Sequence, residues 1–78
     1  MMTIGNILSV RIHTEYVKLE QFLKLADIIS SGGEAKAFLA ENEIFVNGER
    51  ENRRGRKLRN GDQIEIDGRV YAICRSVD

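Results

Sequence analysis

Leu8, Val10 and Ile12 alternate with Ser9, Arg11 and His13, the period of a short strand with one buried face. From Lys18 the period lengthens. Leu19, Phe22, Leu23 and Ala26 recur at i, i+3, i+4 and i+7, with Glu20, Gln21, Lys24 and Asp27 on the other side, which predicts a two-turn amphipathic helix. Leu25, Ile28 and Ile29 extend its apolar surface before Ser30-Ser31-Gly32-Gly33 interrupts regular structure. Ser31 and Glu34 stand at the spacing of a capping box, so a second helix is expected from near Gly32 to about Glu41. Its apolar positions are Ala35, Phe38 and Leu39. Phe22 and Phe38 are expected at the centre of the contact between the two helices, as packing residues rather than surfaces on which a base stacks.

Beyond Glu43 the period shortens again. Ile44-Phe45-Val46 has the composition of a strand, and Asn47-Gly48 tolerates the positive φ angles of a tight hairpin turn. Periodicity is then lost until Asn60-Gly61-Asp62, a second turn, with Leu58 the one apolar anchor in between. Ile64 and Ile66 alternate with Gln63, Glu65 and Asp67, and Asp67-Gly68 makes a third turn into a strand from Val70 to Arg75. The order of strand, helix, helix, strand and hairpin predicts an α+β domain, two short packed helices on a small antiparallel sheet. Seventy-eight residues suffice for one domain with a small core. Residues 1–16 are expected to be an N-terminal extension with a short strand, Met1 to Asn6 fraying, and residues 17–78 the domain proper.

Charge changes the picture. The chain has twelve Lys and Arg against twelve Asp and Glu, yet Arg50, Arg53, Arg54, Arg56, Lys57 and Arg59 crowd into ten positions whose only anion is Glu51. Neutrality is therefore the sum of two opposed regions. With a Debye length of about 8 to 10 Å, distant carboxylates cancel such a local concentration only weakly. The density exceeds what solubility asks of a surface loop and points to an anionic partner. Cys74, the only cysteine, reads as a small apolar residue in the last strand, and a chain without disulfide potential fits the reducing cytoplasm. His13 has no companion at metal-ligand spacing and reads as a surface residue at a strand end, so no metal or cofactor is expected. No apolar run is long enough for a membrane span or a signal peptide.

In this arrangement the sequence resembles the RNA-binding domain named after ribosomal protein S4. The resemblance rests on five segments in matching order from about Val17 to Val70. They are Lys18-Leu19-Glu20-Gln21-Phe22-Leu23, the serine turn leading into Glu34-Ala35-Lys36, Phe38-Leu39, Ile44-Phe45-Val46-Asn47-Gly48, and Asn60-Gly61-Asp62-Gln63-Ile64-Glu65-Ile66. Gly32-Gly33 and the run from Glu51 to Leu58 look most like the small stand-alone proteins of the YaaA/YbcJ type. The resemblance implies binding of structured RNA, ribosomal RNA foremost, in ribosome assembly or a translation-associated process. Carried over by position, the binding face would comprise Lys18, Ser31, Gly32, Gly33, Lys36, Arg50, Arg53, Arg54, Arg56, Lys57 and Arg59. Many relatives have arginine where Lys18 and Gly32 stand here, which shifts weight from the helices to the basic loop.

Gly32-Gly33 read alone is equally a flexible interhelical turn or a weak phosphate-approach signal. An RNA-modifying enzyme is disfavoured, because the chain has no paired carboxylates, no nucleophile with a histidine and no metal set. The alternative of a different kind is a protein-interaction adaptor whose basic loop meets an acidic protein.

Overall fold

A computed structural model describes residues 7–76; the expectation for Met1 to Asn6 lies outside them. The chain runs β1 (Ile7–Ile12), β2 (Tyr16–Lys18), α1 (Leu19–Leu25), a 3₁₀ turn (Gly32–Glu34), α2 (Ala35–Glu41), β3 (Ile44–Val46), β4 (Glu49–Arg50), β5 (Lys57–Arg59), β6 (Gln63–Ile66) and β7 (Arg69–Arg75). Five strands form one sheet in the order β1-β7-β6-β3-β4, and β2 pairs with β5 in a separate two-stranded ribbon.

Local chemistry sets the hairpins. Asn47 and Gly48 have φ of 51° and 87°, and Asp67 and Gly68 have 54° and 82°. Both central residues of each turn are thus left-handed, the geometry whose twist suits two-residue hairpins and which Asn, Asp and Gly adopt at least cost. The strands they join, β3 with β4 and β6 with β7, are antiparallel as expected. β1, however, runs parallel to β7, which makes the sheet mixed. The alternation of Leu8, Val10 and Ile12 marks a half-buried strand but carries no direction, and no hairpin ties β1 to its partner.

α1 ends one turn before the apolar pattern does. Asp27 adopts φ of 61°, and the Asp27 and Ile28 amides donate back to the Lys24 and Leu23 carbonyls, closing the helix in a Schellman motif. Ile29 returns to the core while Leu25 stays exposed. The capping box expected at Ser31 is replaced by a neighbouring bond. Ser31 precedes the 3₁₀ turn but makes no side-chain cap, and the Glu34 carboxylate accepts the Ser30 amide at 2.8 Å. The extended Ser31 backbone (φ −146°, ψ 158°) suits a capping residue, yet the tighter 3₁₀ turn changes which amide the glutamate reaches.

Ile44, Val46, Ile64, Ile66, Tyr71 and Ile73 form the sheet's inner face and pack against Leu19, Phe22, Leu23, Ala35 and Leu39 of the helices. Phe22 is fully buried, its ring edge-on to Tyr71 with centroids 5.6 Å apart. Phe38 is only half-buried at the margin, so it does not share the centre with Phe22. Cys74 is exposed on β7, contrary to its expected burial, because Tyr71 and Ile73 take the inward positions.

Candidate nucleic-acid interface

The stretch read as one basic loop is three structures in succession. Arg50 ends β4, residues 51–56 make a turn, and Lys57 to Arg59 form β5. This segment is tied down through its backbone. β5 pairs antiparallel with β2, matching Lys57 to Lys18 and Arg59 to Tyr16, and the buried Val17 and Leu58 face the core. The Arg56 and Arg54 carbonyls accept the first amides of α1, from Leu19 at 2.8 Å and Glu20 at 2.9 Å. Donors that a helix start leaves without partners are thereby satisfied by the basic segment itself.

Its organising residue is Glu51, whose side chain is only 6% exposed. The carboxylate accepts five hydrogen bonds: from the Asn52 and Arg53 amides, from Arg53 Nε at 2.9 Å and Nη2 at 3.0 Å, and from Arg56 Nη1 at 2.8 Å. The bidentate Arg53 contact dominates, and together these bonds outweigh burial, holding the Glu51 carboxyl at a pKa of about 2. A pKa below its unfolded value means that the carboxylate's stabilisation is complete above about pH 5 and is lost as pH falls toward 2. Wild type and Glu51→Gln should therefore differ most in unfolding free energy near neutrality and converge in acid. Urea titrations at a series of pH values check this, and a gap independent of pH would contradict it.

The other cations expected on the binding face fall into two groups. Lys36 on α2, Arg50 and Arg54 line a groove of ≈ 430 Å³ with Leu39, Ala40 and Asn52. Arg50 approaches Glu43 at 3.6 Å, but both side chains are largely exposed, so the pair constrains little. The second group lies on the outer face of the ribbon. Tyr16, Lys18, Lys57 and Arg59 occupy directly paired positions there, with Lys57 Nζ 4.9 Å and Arg59 Cζ 5.5 Å from the Tyr16 ring centre. The aromatic face offsets part of the repulsion between the two cations.

Ser31 and Gly33 are exposed and Gly32 half-buried at the turn leading into α2. A Cβ on Gly32 would meet nothing within 4 Å, and one on Gly33 only the Ser31 hydroxyl oxygen at 3.9 Å. The fold therefore does not require glycine at either position for packing. Among the described residues no group of three or more His, Cys, Asp or Glu side chains is placed to hold a metal, and no helix is long and apolar enough to cross a membrane.

The S4 domain family matches residues 10–74, most of the chain. The chain belongs to the S4 domain family. The chain is 61% identical over 59 residues to the probable ribosome maturation protein RlbA of Bacillus subtilis (strain 168), an alignment covering 76% of this chain and 83% of that protein. Tyr16 and Glu51 are parts of this S4 domain's basic surface that sequence reasoning missed. The available signal for Glu51 was its isolation, a lone carboxylate inside a run of six cations. For Tyr16 there was none, since three-residue strands are too short to show a period.

Proposed function

We propose that this S4 domain is a non-catalytic module that binds structured RNA, ribosomal RNA foremost, in the cytoplasm during ribosome maturation or a linked process. The observation that carries the reading is the Glu51 clamp. Arg53 is bonded to Glu51 yet its side chain remains 72% exposed. A guanidinium has five N–H donors, and the Glu51 carboxylate takes two of Arg53's, leaving others for a phosphate. A cation already ordered by its own fold loses less conformational entropy on binding than a free side chain. The groove group and the ribbon group add sites from Lys18, Lys36, Arg50, Arg54, Lys57 and Arg59. Ser31, Gly32 and Gly33, at the turn leading into α2, would add an open backbone, since a Cβ on either glycine meets nothing closer than 3.9 Å. Such a surface suits A-form RNA, which is recognised mainly through phosphates, sugars and shape. The resemblance to a protein named for ribosome maturation supports ribosomal particles or their precursors as the partner.

Gradient fractionation of lysate at low salt, with crosslinking, tests the reading. The protein should travel with ribosomal subunits or their precursors and should leave those fractions after nuclease treatment. Retention of a nuclease-resistant complex would instead favour the adaptor that meets an acidic protein. Recovery in the slow-sedimenting pool alone, even after crosslinking, would contradict the ribosomal reading.

A further inference from the structure

The groove between α2 and the β4 end has a feature that phosphate binding alone does not use. Lys36, Leu39 and Ala40 stand at i, i+3 and i+4 on α2 and form one wall, and Arg50, Asn52 and Arg54 form the other. The exposed Ala40, with the edge of the buried Leu39 beneath it, thus supplies the apolar part of a concavity whose charged side chains are all cations. A regular A-form duplex presents paired, stacked bases and an outward phosphate ridge, so it could use the cations but would leave the apolar recess empty.

We propose that this groove takes a single unpaired nucleotide of the bound RNA, its base lodged against Leu39 and Ala40 and its flanking phosphates on Lys36, Arg50 and Arg54. The proposal rests on the RNA-binding reading above and names the ligand of one part of that face. Three observations support it. The groove's ≈ 430 Å³ lies within the range of small-molecule pockets, large enough for a base and its sugar. Asn52 is exposed at the wall, and its amide offers both a donor and an acceptor to the edge of an extruded base. Glu51, between Arg50 and Asn52 in sequence, is not free to repel a ligand, because both oxygens are occupied by Arg53 and Arg56 and by the turn's amides; the carboxylate that meets a groove cation is the exposed Glu43, 3.6 Å from Arg50. A phosphate at Arg50 would replace that solvent-exposed pair, which holds the arginine only weakly.

The test uses RNA hairpins with one common stem: fully paired, carrying one unpaired nucleotide made with each of the four bases, or carrying an abasic residue at that position. Binding is measured at two salt concentrations with wild type, Ala40→Gln and Asn52→Ala. At least one bulged hairpin should bind about tenfold or more tighter than the paired and abasic ones, corresponding to burial of one base against aliphatic side chains and hydrogen bonds to its edge. Ala40→Gln, a neutral filler at an exposed helix position, should remove that preference, so that bulged, abasic and paired hairpins bind alike. Asn52→Ala should reduce the preference severalfold. Melting curves matching wild type confirm that both variants fold. Equal, salt-dependent binding of all hairpins by wild type would overturn the groove assignment and leave the RNA-binding reading standing. Failure to bind any of them in a salt-dependent way would overturn both.

Discussion

Phe22→Ala should lower the free energy of unfolding by about 3 to 5 kcal/mol, the cost of deleting a fully buried aromatic ring whose cavity the neighbours fill only in part. The ring is inaccessible to solvent, and it stands edge-on to Tyr71 with planes at 82°, so the substitution also removes an aromatic pair that bridges α1 to β7. Domains of this size are stable by only about 5 to 15 kcal/mol, so the loss is a large part of the whole. It should lower Tm by more than about 12 °C. Phe38→Ala is the comparison. Because Phe38 lies at the core's margin and is half exposed, its removal should cost less than half as much. Urea and thermal unfolding of the two variants side by side decide the point; equal losses would mean that the helix contact, not the α1–β7 contact, is the centre of the core.

Replacing both Arg50 and Arg54 with glutamine should weaken binding to structured RNA by about tenfold or more and flatten its salt dependence. Counterion release gives a log–log slope of about −0.7 to −0.9 for each phosphate contact. With roughly three to five contacts, the wild-type slope should lie near −2 to −4, and the double variant should be shallower by about 1 to 2. These two arginines are the appropriate pair because they line the groove without bonding to Glu51. Arg56, by contrast, is half-buried and donates to Glu51 at 2.8 Å, so its loss would disturb the turn as well as the charge. Lys24→Gln is the control, since Lys24 is exposed on α1 outside both cation groups. Titrations at several salt concentrations check the expectation. An unchanged slope in the double variant would remove the groove cations from the interface.

Glu51→Gln separates organisation from charge on the same surface. A count of charges alone says that removing an anion from a cationic face should tighten RNA binding. The clamp says the reverse, because Arg53 and Arg56 would lose the partner that orders them.

The features legible in the sequence were those written in local chemistry. Asn47-Gly48 and Asp67-Gly68 each specify a turn within two residues, and the Leu19 to Ala26 spacing identifies a helix within two turns. The features that escaped depend on partners distant in the chain. β2 and β5 each present one inward side chain, Val17 or Leu58, and become strands only by pairing with each other. The direction of β1 is likewise a property of its partner. At the candidate site the cations could be enumerated from sequence, but their division was not visible: two held by Glu51, three around a groove and three on the ribbon. That division is set by where the backbone of residues 50–59 is pinned to β3, the start of α1 and β2.

The pairing of β1 with β7 has a consequence for the order of folding. Ile7 stands beside Val70 and Ile12 beside Arg75, so the first described strand is zipped to the last. During synthesis β1 is complete long before the residues it pairs with exist, and closing so long a loop costs entropy before any contact compensates. The β6–β7 hairpin and the helices, built from nearer neighbours, can assemble first and offer β7's open edge as a template. β1 should then be the last strand to dock and, at an outer edge with Ile7 and Leu8 exposed, the first to open. Amide hydrogen exchange would show this as weaker protection in β1 than in β6.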